Sequence, residues 1–271
     1  MKKYYIYSFI IIIFFSCENS MPGFRFSNFD NTPAKNLAKA VRNNNIKEIR
    51  NEIIKRKINI DYPSKTYGST LLSLAIVNKK KEAFDELLKL GANPNYYRYN
   101  YCSSPLIESI SYADNCDLYY ITKLLDYGAK ITSNNYYKCN NIIVETPLIV
   151  AINKYNLTKK TYCTNIIKLL ASRVDIDLNK FNDNVNCKYN VIYNCLDARN
   201  MKALKYFIID LKLEVPKKIY IDEYITGDLL GFVNLKHILS LESFNFKYSR
   251  KKNIIKNEIL EFLEKKGNGT D

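Results

Sequence analysis

The sequence predicts an all-α solenoid of stacked helix pairs, about five of them with a degenerate sixth and a C-terminal capping helix. Two observations carry that prediction. A polar capping residue followed by an apolar pair 17 to 23 positions later recurs along the chain, and self-similarity on this scale marks a repeat array. The chain then closes on an amphipathic stretch suited to cover the last repeat, which would otherwise show its apolar face to water.

The first element is an export signal, residues 1–16. Lys2 and Lys3 precede an apolar run from Tyr4 to Phe15. A spanning helix takes about 20 apolar residues, so this run is short for a membrane anchor. Phe14-Phe15-Ser16-Cys17 resembles a bacterial lipobox. The resemblance implies that Cys17 is acylated, with palmitate or similar chains, and becomes the first residue of the mature protein. Phe stands at two places where the pattern has Leu and a small residue. An uncleaved anchor and a plain signal peptide therefore remain the alternatives. Residues 17–35 show no helical or strand period and carry Pro, Gly, Ser and Asn, as expected of a lipidated tether. Phe24, Phe26 and Phe29 alternate within it, which allows docking on the first repeat. A loose linker is the reading adopted.

The repeats occupy residues 36–215. GSTLLSLAI with DELLKLGANPN is the clearest copy, followed by ETPLIVAI with NIIKLLAS and SSPLIESI with ITKLLDYGAKIT. The caps are Asn36, Thr70, Ser104, Thr146 and Asn190, and their apolar pairs are Ile53-Ile54, Leu87-Leu88, Leu124-Leu125, Leu169-Leu170 and Phe207-Ile208. Such caps satisfy orphan N–H groups at a helix start, and Pro at the next position is preset for the first turn. The fifth residue after each cap is Val41, Ala75, Ser109, Ala151 or Cys195, small enough for two helices to approach closely. These segments resemble ankyrin repeats, which implies paired helices joined by exposed finger loops that bind other proteins. The usual His is replaced by Ser73, Ile107 and Ile149, and the helix-ending Gly survives only at Gly91 and Gly128. Residues 216–271 hold the degenerate repeat and the capping helix, with Ile254, Ile255, Ile259, Leu260 and Leu263 on one stripe.

Composition narrows the function. His237 is the only histidine, which removes His-based triads and multi-His metal sites. Six cysteines follow Cys17 and none form C-x-x-C, so no zinc or thioredoxin-like motif is indicated. Stacked repeats bring equivalent loops together, which favours Cys116–Cys163 and Cys102–Cys139 as bridges; Cys195 is expected as a buried thiol, and Cys187 would be left over. The alternative is that none pair.

The net charge is +14, with 23 Tyr and no Trp. AT-rich codons alone would account for much of that bias. The alternative is a binding surface of Tyr97, Arg98, Tyr99, Tyr101, Tyr136, Tyr137, Lys138, Lys188 and Tyr189 in successive fingers, a combination that favours protein interfaces. The expectation is a non-catalytic, membrane-tethered binding module of the bacterial envelope, a monomer without cofactor or metal. Its partner is another protein with an acidic surface, and nucleic acid is not expected. A periplasmic immunity protein that neutralises a toxin and a structural tether to anionic envelope polymer are the alternatives.

Overall fold

The computed structural model describes residues 21–98, 103–131, 138–139, 142–143, 146–156, 161–173, 176, 190–221, 231–241, 244, 246 and 249–267, with backbone alone at 138–139, 142–143, 155–156 and 161. Five helix pairs follow one another. They are α1 (Lys35–Arg42) with α2 (Ile46–Arg50), α3 (Leu71–Val77) with α4 (Lys81–Lys89), and α5 (Pro105–Ser111) with α6 (Tyr119–Asp126). Then come α7 (Pro147–Asn153) with α8 (Thr164–Ala171) and α9 (Val191–Asp197) with α10 (Met201–Lys205). The first helices of the pairs pack each on the next, and among the second helices α2 meets α4 and α8 meets α10. The fold is an all-α solenoid of stacked helix pairs.

Local chemistry explains the helix starts. The side chains of Thr70, Ser104, Thr146 and Asn190 each accept a hydrogen bond from a backbone N–H in the first turn of α3, α5, α7 and α9. Pair one differs. Its helix starts at Lys35 behind Ala34, so Asn36 lies inside the helix and caps nothing. The cause is the incoming chain: the backbone N–H of Lys35 donates to Thr32 O and that of Ala38 to Ala34 O, which continues a turn already begun. Val41, Ala75, Ser109, Ala151 and Cys195 are all buried where neighbouring helices meet.

The second helices of pairs one and five end in π turns, Asn51–Lys55 and Tyr206–Asp210. An extra residue per turn rotates the downstream side chains about the helix axis. Ile54, expected in the core, is therefore 51% exposed, while Glu52 is buried and pairs with Arg56 at 2.6 Å. Gly91 and Gly128 end α4 and α6 with φ of 92° and 84°. Lys57 and Lys212 take the same left-handed role in pairs one and five, at φ of 58° and 53°.

The C-terminal region forms one more pair. A hairpin of Ile219–Ile221 and Gly231–Val233 leads to α11 (Leu235–Ser240), capped by the Asn234 side chain, and then to α12 (Arg250–Gly267). The last helix packs on both α10 and α11. Ile259 is fully buried at its centre, with Ile255, Leu260, Phe262 and Leu263 partly buried around it. Ile254 leaves the expected stripe and is 49% exposed. Lys205 and Glu258 form an ion pair that joins α10 to α12.

The loose-linker reading of residues 21–34 is corrected. Pro22–Phe24 and Phe26–Phe29 form short 3-10 turns, and Phe24, Phe26 and Phe29 are all buried. Alternating aromatics of this size gain far more by covering exposed inner helices than by remaining in water.

Candidate partner-binding surface

The fingers before α5 and α7 close as short hairpins, whereas the one before α3 is built of turns. Arg98 bridges Ser103 before α5, and Lys138–Cys139 pairs with Ile142–Ile143 before α7. A further hairpin, Tyr155–Asn156 with Thr161–Tyr162, fills the turn between α7 and α8. Asp and Asn side chains tie adjacent fingers together: Asp61 Oδ1 accepts from the Asn93 backbone N–H at 3.0 Å, and Asn95 Oδ1 accepts from the Lys130 backbone N–H at 2.8 Å. These bonds repeat at about 30-residue spacing and hold the finger bases in register.

The residues expected on this surface divide sharply. Tyr97 is half-buried at the foot of its finger. Arg98 is corrected from a surface contact to an interior residue. Its guanidinium donates to Glu108 Oε1 at 2.7 Å and, through Nε, to Tyr67 O at 3.2 Å, and both charged side chains are at most 3% exposed. The reason lies in α5: Glu108 faces the core within an apolar helix, and a carboxylate there requires a cation. Burial holds the Glu108 carboxyl above the usual range, against the opposing pull of Arg98, Ser73 and Ser103. For Lys138 the backbone is described, in its strand. Cys17, Tyr99, Tyr101, Tyr136, Tyr137, Lys188 and Tyr189 lie outside the described residues.

Of the cysteines, Cys116 and Cys163 are brought together in a disulfide that joins the inter-helix turns of pairs three and four. Cys102 and Cys187 lie outside the described residues, and Cys139 is placed by its backbone in a finger strand. Cys195 is a buried free thiol, pushed well above the usual range by burial alone.

The inner face of the first three pairs is already covered. Residues 21–29 cross it against the direction of the repeats, with Met21 near α5, Gly23 and Phe24 on α3 and Phe26 to Phe29 on α1. Ser69 Oγ donates to Gly23 O at 2.6 Å, and Asn78 Nδ2 donates to Phe24 O at 2.9 Å. The Phe24 ring meets Tyr112 edge-on at 5.5 Å and lies 4.8 Å from the Arg98 guanidinium. Gly23 permits this approach, because a Cβ there would stand 3.3 Å from Arg98 Nη2. Between this segment and helices α1, α4 and α5, all seven residues of α3 are buried. A partly open cavity of about 440 Å³ remains between this segment and Tyr67, Arg98, Glu108 and Tyr112.

The Arg98–Glu108 pair was not foreseen in the sequence, and docking of the Phe residues on the first repeat stood there only as the alternative to a linker. The available signals were a carboxylate inside the apolar PLIESI helix and the alternating Phe residues.

Among the described residues, no group of three or more His, Cys, Asp or Glu is placed to hold a metal ion. No described helix is long and apolar enough to cross a membrane. No protein-family model matches the chain, and a search among curated proteins finds no match. Among solved structures, the human ASB11 ankyrin repeat domain is similar at 13% identity, over 65% of this chain and 68% of that one, with a TM-score of 0.45.

Proposed function

We propose that this chain is an exported, non-catalytic protein-binding module of the bacterial envelope, anchored by acylation at Cys17. Its finger hairpins grip an acidic protein surface. The observation that carries this reading is the pair of finger hairpins before α5 and α7, on a stack of capped helices joined by inter-repeat bonds. Arg98 is used inside the fold, whereas the remaining Tyr and basic residues of the fingers supply contact area with polar tips. The net charge, +14 for the full sequence and +12 once Lys2 and Lys3 leave with residues 1–16 (14 − 2), favours an acidic partner. The Cys116–Cys163 disulfide supports an oxidising compartment, where such bonds persist.

Two variants test the two halves of the reading. Cys17→Ala moves the protein from the membrane fraction to the soluble fraction and removes the acyl mass from its N-terminus; a variant that stays membrane-bound contradicts the anchor. Tyr99, Tyr101, Tyr136 and Tyr137 replaced together by Ser leave the helical circular dichroism intact and abolish capture of the partner seen with the unaltered chain. Capture that survives this replacement places the binding surface elsewhere.

A further inference from the structure

We infer that the mouth of the inner groove around Met21 is held against the anionic lipid surface of the protein's own membrane. This rests on the acylation reading and adds an orientation to it. Cys17 and Met21 are four residues apart, and four residues extend at most roughly 14 Å. An acylated Cys17 sits at the edge of the hydrocarbon, beneath a headgroup layer several ångströms deep. Met21 is no longer part of a tether, because the chain from Pro22 onward is pinned by Ser69, Asn78 and the ring of Phe24. The fixed point of the fold therefore stands within a few ångströms of the headgroups.

The surface at that point suits such a neighbour. Met21 is 42% exposed and the Tyr112 hydroxyl donates to its sulfur at 3.1 Å. Arg25 is exposed two residues after Gly23. Lys79 and Lys154 reach the carbonyls of Tyr112 and Ser111 at the end of α5, the element whose Tyr112 side chain meets Met21. Asp114, 3.5 Å from Lys79, is the acidic neighbour. Cations within a Debye length of an anionic leaflet are attracted to it. Amphipathic Tyr and Met side chains fit the interfacial zone.

The chain has no Trp, so one introduced Trp reports alone. The acylated chain carrying Met21→Trp is reconstituted in phosphatidylglycerol-rich vesicles that contain a headgroup nitroxide lipid. The expected result is that its emission falls at least roughly twofold, because the headgroup layer is within contact range. Leu211→Trp, at an exposed site after the π turn of pair five, is expected to keep its emission. A spacer of about 20 Gly and Ser residues between Ser20 and Met21 adds ~25 Å of mean reach and restores the Met21→Trp signal. Unquenched emission from an acylated, vesicle-bound Met21→Trp chain overturns the orientation and leaves the anchor standing. Equal quenching at both positions, or no effect of the spacer, overturns it as well. A chain with no acyl mass overturns the anchor and this inference together.

Discussion

Arg98 and Glu108 meet at 2.7 Å with almost none of either side chain in water. Taking two charges out of solvent costs several kcal/mol per ion, and their attraction offsets it only while both are present. Glu108→Ala leaves the guanidinium buried and unpaired. The expected loss of unfolding free energy is about 3–5 kcal/mol, measured by urea titration. The pH dependence has a definite sign. Burial raises the Glu108 carboxyl in the fold, so its contribution is full below the ordinary carboxylate range and declines as pH rises through the raised value. The stability of the unaltered chain relative to Glu108→Gln is expected to fall over that window; a rise would contradict the assignment. Glu86 has the opposite sign. Arg50 donates to it at 2.6 and 3.1 Å and holds its carboxyl below the usual range, so its contribution is lost as pH falls.

At the scale of single elements, the left-handed helix ends make a sharp comparison. Gly91 and Lys57 occupy equivalent positions, at φ of 92° and 58°. A side chain at such angles costs roughly 1–2 kcal/mol, part of which Gly gives back as chain entropy in the unfolded state. Lys57→Gly is expected to leave stability unchanged or raise it by up to about 1 kcal/mol, whereas Gly91→Ala lowers it by a similar amount, both read from urea midpoints. These ends also show what the sequence makes legible. The caps Thr70, Ser104, Thr146 and Asn190 could be found because capping involves residues two or three apart. Asn36 and Ile54 could not, because a turn entering from upstream and an inserted π-turn residue each shift the local register. The buried Arg98 was misplaced for a different reason: an arginine in a finger loop looks exposed until its partner across the groove is known.

Over the whole molecule, the stack is braced where adjacent pairs would otherwise separate. The Cys116–Cys163 bond closes a loop of 47 residues between pairs three and four. Replacing both with Ser is expected to cost roughly 2–4 kcal/mol, measured as a lower urea midpoint with the same helical signal. A variant as stable as the original would show that helix packing alone holds that junction. The repeat number and the general placement of finger loops were legible from spacing, since a solenoid is built from near-neighbour contacts. Docking of the Phe residues on the first repeat could be raised as an alternative, but the extension of the segment to α3 and α5 could not, because those partners lie 46 to 91 residues downstream.

That separation sets the order in which the protein can assemble. A repeat array folds by propagation between neighbours, with little loop to close. Met21 to Phe29 are among the first described residues to be synthesised, yet Phe24 has no seat until α3 and the end of α5 exist. The segment that is synthesised ahead of the repeats is therefore placed late in folding. Through that interval the inner face of the early pairs stays open, and the aromatic residues meant to cover it remain in water.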